Sequence, residues 1–232
     1  MKKINRTFNK QYGWKIAQFS LLILLIIIAG SCKTMSKTKK GAVIGTAGGA
    51  ALGAVVGKAS GNTVLGAIIG AAVGGTTGVL IGKKMDKQAE EIKNEVPGVK
   101  VERVGEGIII EFNEKILFDF AKYDLKSESK NSLNKFITVL NRYPETNIEI
   151  QGHTDSKGST SYNNTLSKNR AQSTENYLVM NNIVSNRIHV KGMGEKYPKV
   201  DNTSEINRAE NRRVEFLITA NENMKQDAKK EL

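Results

Sequence analysis

The sequence predicts a mixed α+β domain after residue 98, with its helices on one face of a mixed sheet, and a helical hairpin before that domain. Two observations predict this arrangement. Glycine recurs at every fourth position in two stretches, at 41, 45, 49, 53 and 57 and at 66, 70, 74, 78 and 82. After residue 98, short stretches of alternating apolar and polar residues are followed along the chain by amphipathic helical patterns, which is typical of βαβ units.

The first 31 residues have the pattern of a secretory signal, with basic residues ahead of the apolar run LLILLIIIAG. That run is too short for a membrane span, which takes about 20 residues. Small residues then lead to the sole cysteine, Cys32. This order resembles the bacterial lipoprotein signal, in which the cysteine thiol is acylated. We therefore predict a signal peptide over residues 1–31, lipidation at Cys32 and a lipidated tether over residues 32–40; a buried free cysteine is the alternative.

The formal net charge of +12 does not by itself indicate a nucleic-acid partner. Five of these charges lie in the predicted signal peptide, at Lys2, Lys3, Arg6, Lys10 and Lys15. The others are spread thinly and form no basic groove interleaved with aromatic residues. Nucleic acid is therefore not expected among the partners.

The glycine-rich stretches predict two helices that pack closely on each other. Residues four apart share one side of a helix, so each helix has a stripe of bare backbone. Glycine in a helix interior costs about 0.5–1 kcal/mol relative to alanine, and close packing of bare faces is the contact that offsets it. The turn-forming residues Ser60, Gly61 and Asn62 join the two stretches. We predict a helical hairpin over residues 41–82.

Lysines flank the outer ends of this hairpin, where anionic lipid headgroups could hold them: Lys37, Lys39, Lys40, Lys83, Lys84 and Lys87. The segment resembles the glycine-zipper domains of bacterial envelope lipoproteins. Two alternatives stay open. One is a soluble or homo-oligomerising hairpin outside the lipid, and the other is an oligomer that forms a membrane channel or an assembly scaffold. Residues 83–97 are polar and helix-prone and are predicted to be a helical spacer.

The last half of the chain predicts five strands and two helices. Alternation marks the strands in GVKVERVGEGIIIEF, NIEIQGH, RIHVKG and RRVEFLIT, and the first of these stretches folds as a hairpin around residues 105–107. One helical face comprises Leu133, Phe136, Ile137 and Leu140, and the other comprises Leu166, Thr174, Tyr177 and Leu178. Residues 221–232 are predicted to be a polar tail.

Five ordered blocks in this half resemble the OmpA-like C-terminal domain, which binds peptidoglycan. They are LFDFAKYDL (117–125), GHTDSKG (152–158), YNNTLSKNRAQSTENYL (162–178), RIHVKGMGEKYP (187–198) and INRAENRRVEF (206–216). With the cysteine and the glycine zipper ahead of them, the chain is similar to lipoproteins of the YiaD or Pal type. The resemblance implies an OmpA-like βαβαβ domain over residues 98–220. It also implies an outer-membrane lipoprotein that tethers the membrane to the cell wall, with this domain in the periplasm.

Asp155 and Arg170 are the main candidate binding residues. Asp155 lies on a tight turn at a strand end, and Arg170 comes early in the helix that follows, so the fold can bring them to one ligand. By resemblance they bind diaminopimelate of peptidoglycan stem peptides, whose side chain ends in an ammonium and a carboxylate. Asp155 suits the ammonium, and a guanidinium suits the carboxylate. The resemblance implies that further residues line or support this pocket: Phe118, Asp119, Thr154, Asn163, Leu166 and Arg213.

Simpler interpretations of these residues stay open. Asp155 could serve only to stabilise its turn, and Arg170 could lie on the surface of its helix. Asp119 could hold its loop through backbone N–H groups, and one member of the pair Arg212 and Arg213 is expected to be solvated.

An enzyme is the least favoured class. His153 and Asp155 could serve a metal-dependent hydrolase, but no third ligand accompanies them. No Ser-His-Asp or Cys-His set has credible spacing either. We therefore expect no enzymatic activity, no metal and no cofactor.

Overall fold

The computed structural model describes residues 75–231. The predicted signal peptide, Cys32, the tether, the first glycine-rich helix and most of the second lie outside the described residues. In the described part, no helix combines the length and the apolar character that a membrane span requires.

The elements of residues 75–231 are, in chain order, α1 (Gly75–Glu95), β1 (Val99–Val104), β2 (Gly107–Asn113), α2 (Glu114–Leu117), α3 (Ser129–Arg142), β3 (Thr146–His153), α4 (Thr160–Met180), a 3-10 turn (Ser185–Arg187), β4 (Ile188–Gly194), α5 (Glu205–Asn211), β5 (Arg213–Ala220) and α6 (Glu222–Lys230). The strand order is β1-β2-β5-β3-β4. All neighbours pair antiparallel except β3 and β4, which are parallel and are joined through α4. The predicted mixed α+β fold is confirmed.

One face of the sheet carries the core. Strand pairing aligns Phe112, Val214 and Gly152 across β2, β5 and β3. The rings of Phe112 and Phe216 from the sheet meet Phe136 of α3, with centroids 5.8 and 4.9 Å from that ring. Because α1, α3 and α4 all bury their apolar sides here, the helices pack on this one face, as the alternating pattern predicts.

Glycines on β3 and β4 let α4 approach the sheet closely. A Cβ atom on Gly152 would lie 2.0 Å from the carbonyl oxygen of Ser167, and one on Gly192 would lie 2.7 Å from the backbone nitrogen of Lys168. Any larger residue would therefore push the helix outward. This packing sets the first half of α4 beside the C-terminal end of β3.

The structure differs from the predicted spacer at residues 83–97. α1 runs unbroken from Gly75 to Glu95, across the predicted end of the hairpin at residue 82. Its inner face buries Ile81, Met85 and Ile92 in the core. This apolar stripe has only about one residue per turn. The segment is therefore polar in overall composition although one side of the helix is apolar. Gly78 lies against the β1–β2 turn, since a Cβ atom there would be 2.8 Å from Glu106 Oε1.

The predicted polar tail also belongs to the domain. α6 packs against α1 and β5 and fully buries Met224 and Ala228, which are four residues apart. The side chain of Asn221 begins this helix by accepting a hydrogen bond from the backbone N–H of Met224 at 3.1 Å. The packed unit therefore extends from α1 to α6, beyond the predicted limits of residues 98 and 220.

Candidate ligand-binding site

A cavity of about 330 Å³ lies at the end of the core face, where the apolar rows stop. Beyond the row that contains Phe112, the same face of the sheet continues for one more step along each strand. The side chains at that step are charged or polar and line the cavity: Glu114, Arg212 and Thr154. The backbone N–H of Glu114 donates to the carbonyl of Arg212 at 2.9 Å, so strand pairing continues to this point. The face therefore changes from apolar to charged within one step.

Three other parts of the chain complete the cavity wall. They are the stretch from the loop after β3 into the first half of α4, the loop that follows α2, and α5. Their lining residues are Asp155, Lys157, Tyr162, Asn163, Leu166 and Arg170, then Phe120 and Ala121, then Glu205.

Four buried charged side chains, the cavity cluster, form a chain of ion pairs: Arg170, Glu114, Arg212 and Asp155. Arg170 Nη2 donates to Glu114 Oε1. Arg212 Nε lies 2.6 Å from Glu114 Oε2 in ion-pair contact, outside hydrogen-bond geometry. Arg212 Nη1 donates to Asp155 Oδ2 at 2.6 Å. Acids and bases thus alternate, which is how buried charges avoid an uncompensated desolvation cost.

Glu205 extends this cluster to the rim. It accepts a hydrogen bond from Arg212 Nη2 at 2.8 Å, so Arg212 contacts three carboxylates. Burial opposes the charge of Arg212, but its hydrogen bonds to Asp155 and Glu205 outweigh burial and raise its pKa. The hydrogen bonds from Arg212 and Arg208 lower the pKa of Glu205. Both partners are therefore charged at neutral pH.

Asp155 and Arg170 keep bonding capacity toward the cavity. The carboxylate of Asp155 accepts from the backbone N–H of Lys157 at 2.9 Å and from Arg212, which uses about half of its acceptor positions. Arg170 Nε donates to the carbonyl of Lys122 at 2.9 Å, and Nη2 donates to Glu114. Within residues 75–231, no hydrogen bond involves Arg170 Nη1, and no ion pair joins Arg170 to Asp155.

Two side chains hold these groups in place. Asn163 Nδ2 donates to the carbonyl of Asp155 at 3.3 Å and to Glu195 Oε2 at 2.5 Å, so it ties the loop after β3 to α4. Phe118 lies beneath Arg170, with the guanidinium carbon 5.3 Å from the ring centroid. Gly158 has a φ of +102°, a conformation that favours glycine, and it ends the tight turn predicted after Asp155.

The structure brings five of the predicted site residues to the cavity wall: Thr154, Asp155, Asn163, Leu166 and Arg170. Phe118 supports the cavity from below. Asp119 does not line it, because its carboxylate points to solvent, 3.9 Å from Lys126 Nζ. The backbone carbonyl of Asp119 instead accepts from the N–H of Lys122 at 3.1 Å and closes a turn.

Arg213 corrects the prediction for the arginine pair. Its Nε donates to Glu215 Oε1 at 2.7 Å, and its Nη2 donates to the carbonyl of Tyr197 at 3.3 Å. Side chains alternate along a strand, so Arg213 lies on the sheet face opposite to Val214 and to the cavity. Arg212 takes the place in the cavity wall instead. Since both arginines are buried, the expectation that one of them is solvated is wrong.

Glu114 and Arg212 are the two members of the cavity cluster that are absent from the predicted site, and strand alternation is the signal that could have found them. Ile108, Ile110 and Phe112 share the core face, and the next position in that series is Glu114. The apolar series at 218, 216 and 214 leads in the same way to Arg212. Alternation along each strand therefore predicts that the side chains of Glu114 and Arg212 lie on the same face as the core.

A second buried polar group lies behind the cavity, on the other face of the sheet. This second cluster comprises Gln151, His153, Arg213 and Glu215. His153 is 1% exposed, and its Nε2 lies 3.7 Å from Glu215 Oε2. Burial, and then the charge of Arg213, hold the pKa of His153 well below its usual value, so the ring is neutral. Among residues 75–231, no three His, Cys, Asp or Glu side chains are grouped to hold a metal ion.

This fold with a charged cavity at the sheet end defines the OmpA-like class of domain. Residues 117–212 match the OmpA family, and residues 15–86 match the YMGG-like Gly-zipper family. The chain is 34% identical to the probable lipoprotein YiaD of Escherichia coli (strain K12), over 58% of this chain and 63% of YiaD. It is 32% identical to the outer-membrane lipoprotein YfiB of Pseudomonas aeruginosa, over 50% of this chain and 68% of YfiB. The chain belongs to the OmpA family.

Solved structures show the same fold. A MotB-like protein from Desulfovibrio vulgaris aligns with a TM-score of 0.55 and 24% identity, over 60% of this chain and 93% of that one. The cell wall anchor of the T6SS from Pseudomonas aeruginosa aligns with a TM-score of 0.51 and 26% identity, over 59% of this chain and 96% of that one. Matched regions cover 63% of YiaD and only 32% of outer membrane porin F from Pseudomonas fluorescens, so the likeness concerns part of each relative.

Proposed function

We propose that this protein is an outer-membrane lipoprotein that tethers the membrane to the cell wall, and that its cavity binds diaminopimelate of peptidoglycan stem peptides. YiaD has the name probable lipoprotein, and YfiB is an outer-membrane lipoprotein. The T6SS structure with the same fold is a cell wall anchor. These relatives support the tethering role, and the chemistry of the cavity supports the choice of ligand.

The observation that carries the proposal is that Asp155 and Arg170 line the same cavity without pairing with each other within residues 75–231. One comes from the loop after β3 and the other from α4, and each has unused bonding positions. A ligand that carries an ammonium and a carboxylate on one carbon can bond to both at once. Arginine is suited to the carboxylate because its planar fork donates in parallel, which lysine cannot do.

The charge balance of the cavity favours a zwitterion. Each acid of the cavity cluster already faces an arginine, so the buried charges are compensated before any ligand enters. A lone cation or a lone anion would leave one unpaired charge in a desolvated place, which costs several kcal/mol. The zwitterionic end of diaminopimelate adds one charge of each sign and preserves the balance.

The membrane anchor is a separate part of the proposal. Cys32 and most of the predicted glycine-zipper hairpin lie outside the described residues, and the last residues of that predicted hairpin form the first turns of α1. We expect Cys32→Ser to abolish fatty-acid labelling of the protein in cells and to release it from membranes. Labelling that persists in the serine variant would remove Cys32 as the lipidation site.

The ligand proposal is tested by co-sedimentation of the full acylated chain, in detergent, with purified diaminopimelate-containing sacculi. Arg170→Ala is a poor probe, because it would leave Glu114 buried with one partner fewer. Arg170→Lys keeps the charge but cannot bond Glu114, Lys122 and a ligand carboxylate together. We expect it to weaken sacculus binding at least tenfold, which corresponds to about 1.4 kcal/mol. Free meso-diaminopimelate should compete with the wild type.

Arg142→Lys is the matched control. Arg142 is exposed and pairs with Glu91 and Glu95 far from the cavity wall, so this variant should bind like the wild type. Circular dichroism on the same samples reports whether each variant is folded. Equal retention of folded wild type and folded Arg170→Lys would exclude the proposed site.

A further inference from the structure

Two exposed aromatic side chains stand at the mouth of the charged cavity. Phe120 is 83% exposed and Tyr162 is 49% exposed, and both line the cavity. An aromatic ring buries a large apolar area when a ligand covers it, so two exposed rings beside one cavity offer a contact surface to a bound molecule. Their position beside a zwitterion site suggests that the ligand has an apolar part next to its charged end.

The fold holds Phe120 in this outward position. An isolated bridge between Phe118 and Leu125 closes the base of its loop. Within the loop, the turn between Asp119 and Lys122 passes through Ala121 at a φ of +58°, an uncommon conformation for a residue other than glycine. Arg170 Nε donates to the carbonyl at the end of this turn. The same arginine therefore lines the cavity and fixes the turn that presents the ring.

Tyr162 is fixed on the other side of the mouth. It lies in the first turn of α4, where the side chain of the N-cap Ser159 accepts from its backbone N–H at 3.2 Å. Its ring packs beside Gly158, since a Cβ atom on that glycine would be 3.2 Å from Tyr162 Cδ1. One aromatic ring from the loop after α2 and one from the first turn of α4 thus flank the opening, and each is held by contacts of its own.

We propose that Phe120 and Tyr162 bind the stem-peptide residues that are bonded to diaminopimelate, in particular the alanyl methyl group and the adjoining peptide bonds. This inference rests on the proposed function, because it takes the charged end of diaminopimelate to lie inside the cavity. Residues attached to that ligand must then leave through the mouth. The sugars of the glycan strand are separated from diaminopimelate by intervening amino acids, so the peptide is the part that meets the rings first.

The site thus has two parts with different chemistry. The cavity cluster recognises the charged end of diaminopimelate, and the two rings recognise a peptide attached to it. A stem peptide should therefore bind more tightly than free diaminopimelate, and the rings should account for the difference.

Calorimetry on the full acylated chain in detergent tests this division. The probes are free meso-diaminopimelate, the tetrapeptide L-Ala-γ-D-Glu-meso-diaminopimelate-D-Ala, and the same tetrapeptide on its disaccharide. We expect Phe120→Ala to weaken tetrapeptide binding about 3- to 10-fold, the range of a single aromatic contact, and to weaken the binding of free diaminopimelate by a smaller factor. Tyr162→Ala should act in the same direction, and Phe120→Trp should restore binding.

Met180→Ala is the matched control, because Met180 is 81% exposed and lies at the other end of α4. An equal loss for free diaminopimelate and tetrapeptide would overturn the inference, since the ring would then act only by shaping the cavity. A loss confined to the disaccharide-linked probe would overturn it in favour of a sugar contact. If the wild type binds none of the three probes, the proposed function itself fails and the inference fails with it.

Discussion

The cavity cluster and the second cluster are both groups of four buried residues at the same end of the sheet, on opposite faces. In the cavity cluster every charge faces an opposite charge and the group opens to a cavity. In the second cluster several buried polar atoms have no hydrogen-bond partner among residues 75–231: Gln151 Oε1, both ring nitrogens of His153 and Glu215 Oε2. The comparison teaches that buried charge alone does not mark a binding site. Unused bonding capacity that faces an open cavity does.

Adjacent arginines divide between the two clusters. Arg212 faces the cavity, and Arg213 faces Glu215 on the other side of the sheet. One step along the chain reverses the side-chain direction, so two residues of the same type and similar burial have different surroundings. This pair allows the direct test of the comparison.

The largest expected effect is in the matched variants Arg212→Ala and Arg213→Ala. Each strands buried carboxylates, so each should lower the free energy of unfolding by about 3–5 kcal/mol. Only Arg212→Ala should also abolish binding to sacculi, by more than 100-fold, because Asp155 and Glu114 lose their shared partner. Urea unfolding followed by co-sedimentation of the folded fraction measures both quantities.

The lysine variants at these two positions serve if an alanine variant fails to fold. Arg212→Lys should bind at least tenfold more weakly, since one ammonium cannot reach three carboxylates, and Arg213→Lys should bind normally. Equal binding losses at the two positions would show that the clusters are not functionally distinct.

Gly152→Ala tests how far the cavity depends on α4. The new methyl group would lie 2.0 Å from the carbonyl oxygen of Ser167, so α4 must move away from β3. Overpacking of this kind costs about 1–3 kcal/mol, and it should also weaken sacculus binding because Arg170 moves with the helix. Gly82→Ala is the control. Among residues 75–231, no atom lies within 4 Å of the Cβ position of Gly82 in α1, so alanine should stabilise the packed domain by about 0.5–1 kcal/mol.

Much of the fold follows from the sequence because it depends on local periodicity. Alternation predicts all five strands, and the spacing of Leu133, Phe136 and Leu140 predicts α3. The packing of α1 and α6 does not follow in this way. Their buried residues form thin stripes among charged ones, and only the tertiary structure shows that the domain covers them. Composition therefore predicts a spacer and a tail where the structure has two packed helices.

Site residues that lie within the blocks shared with the family are predictable from the sequence, and residues outside those blocks are less so. The blocks GHTD and LSKNR contain Asp155 and Arg170, which the fold brings to one cavity. Glu114 lies outside every block. The resemblance implies Arg213, whereas the alternation with Val214 and Phe216 predicts that Arg212 lies on the cavity face, as the structure has it. The exposure of Phe120 and Tyr162 at the cavity mouth depends on the tertiary structure, because it brings the loop after α2 and the first turn of α4 to one opening.

Asp155→Asn sharpens the comparison within the cavity cluster by removing one charge at constant shape. We expect sacculus binding to fall about tenfold, because the amide no longer attracts the ligand ammonium. Asp201→Asn is the control. Hydrogen bonds from Thr203 and Asn207 lower the pKa of Asp201, so its replacement should cost some stability without affecting binding. An equal loss of binding in the two variants would assign the effect to net charge and not to the cavity.

The smallest effect concerns the second cluster and is a pH dependence of stability. Since the folded pKa of His153 lies well below the value of about 6.5 expected for the unfolded chain, only the unfolded chain takes up a proton at this position as the pH falls below about 6.5. The free energy of unfolding should therefore be unaffected by His153 above that pH and should decrease below it, by up to about 1.4 kcal/mol per pH unit. Urea unfolding of the full chain between pH 7.5 and 5.5 measures this slope, and His153→Gln should flatten it while sacculus binding at pH 7.5 stays normal. His189→Gln, which replaces an exposed histidine on β4, should keep the wild-type slope; a flattened slope in that variant would assign the pH dependence to a residue outside the second cluster.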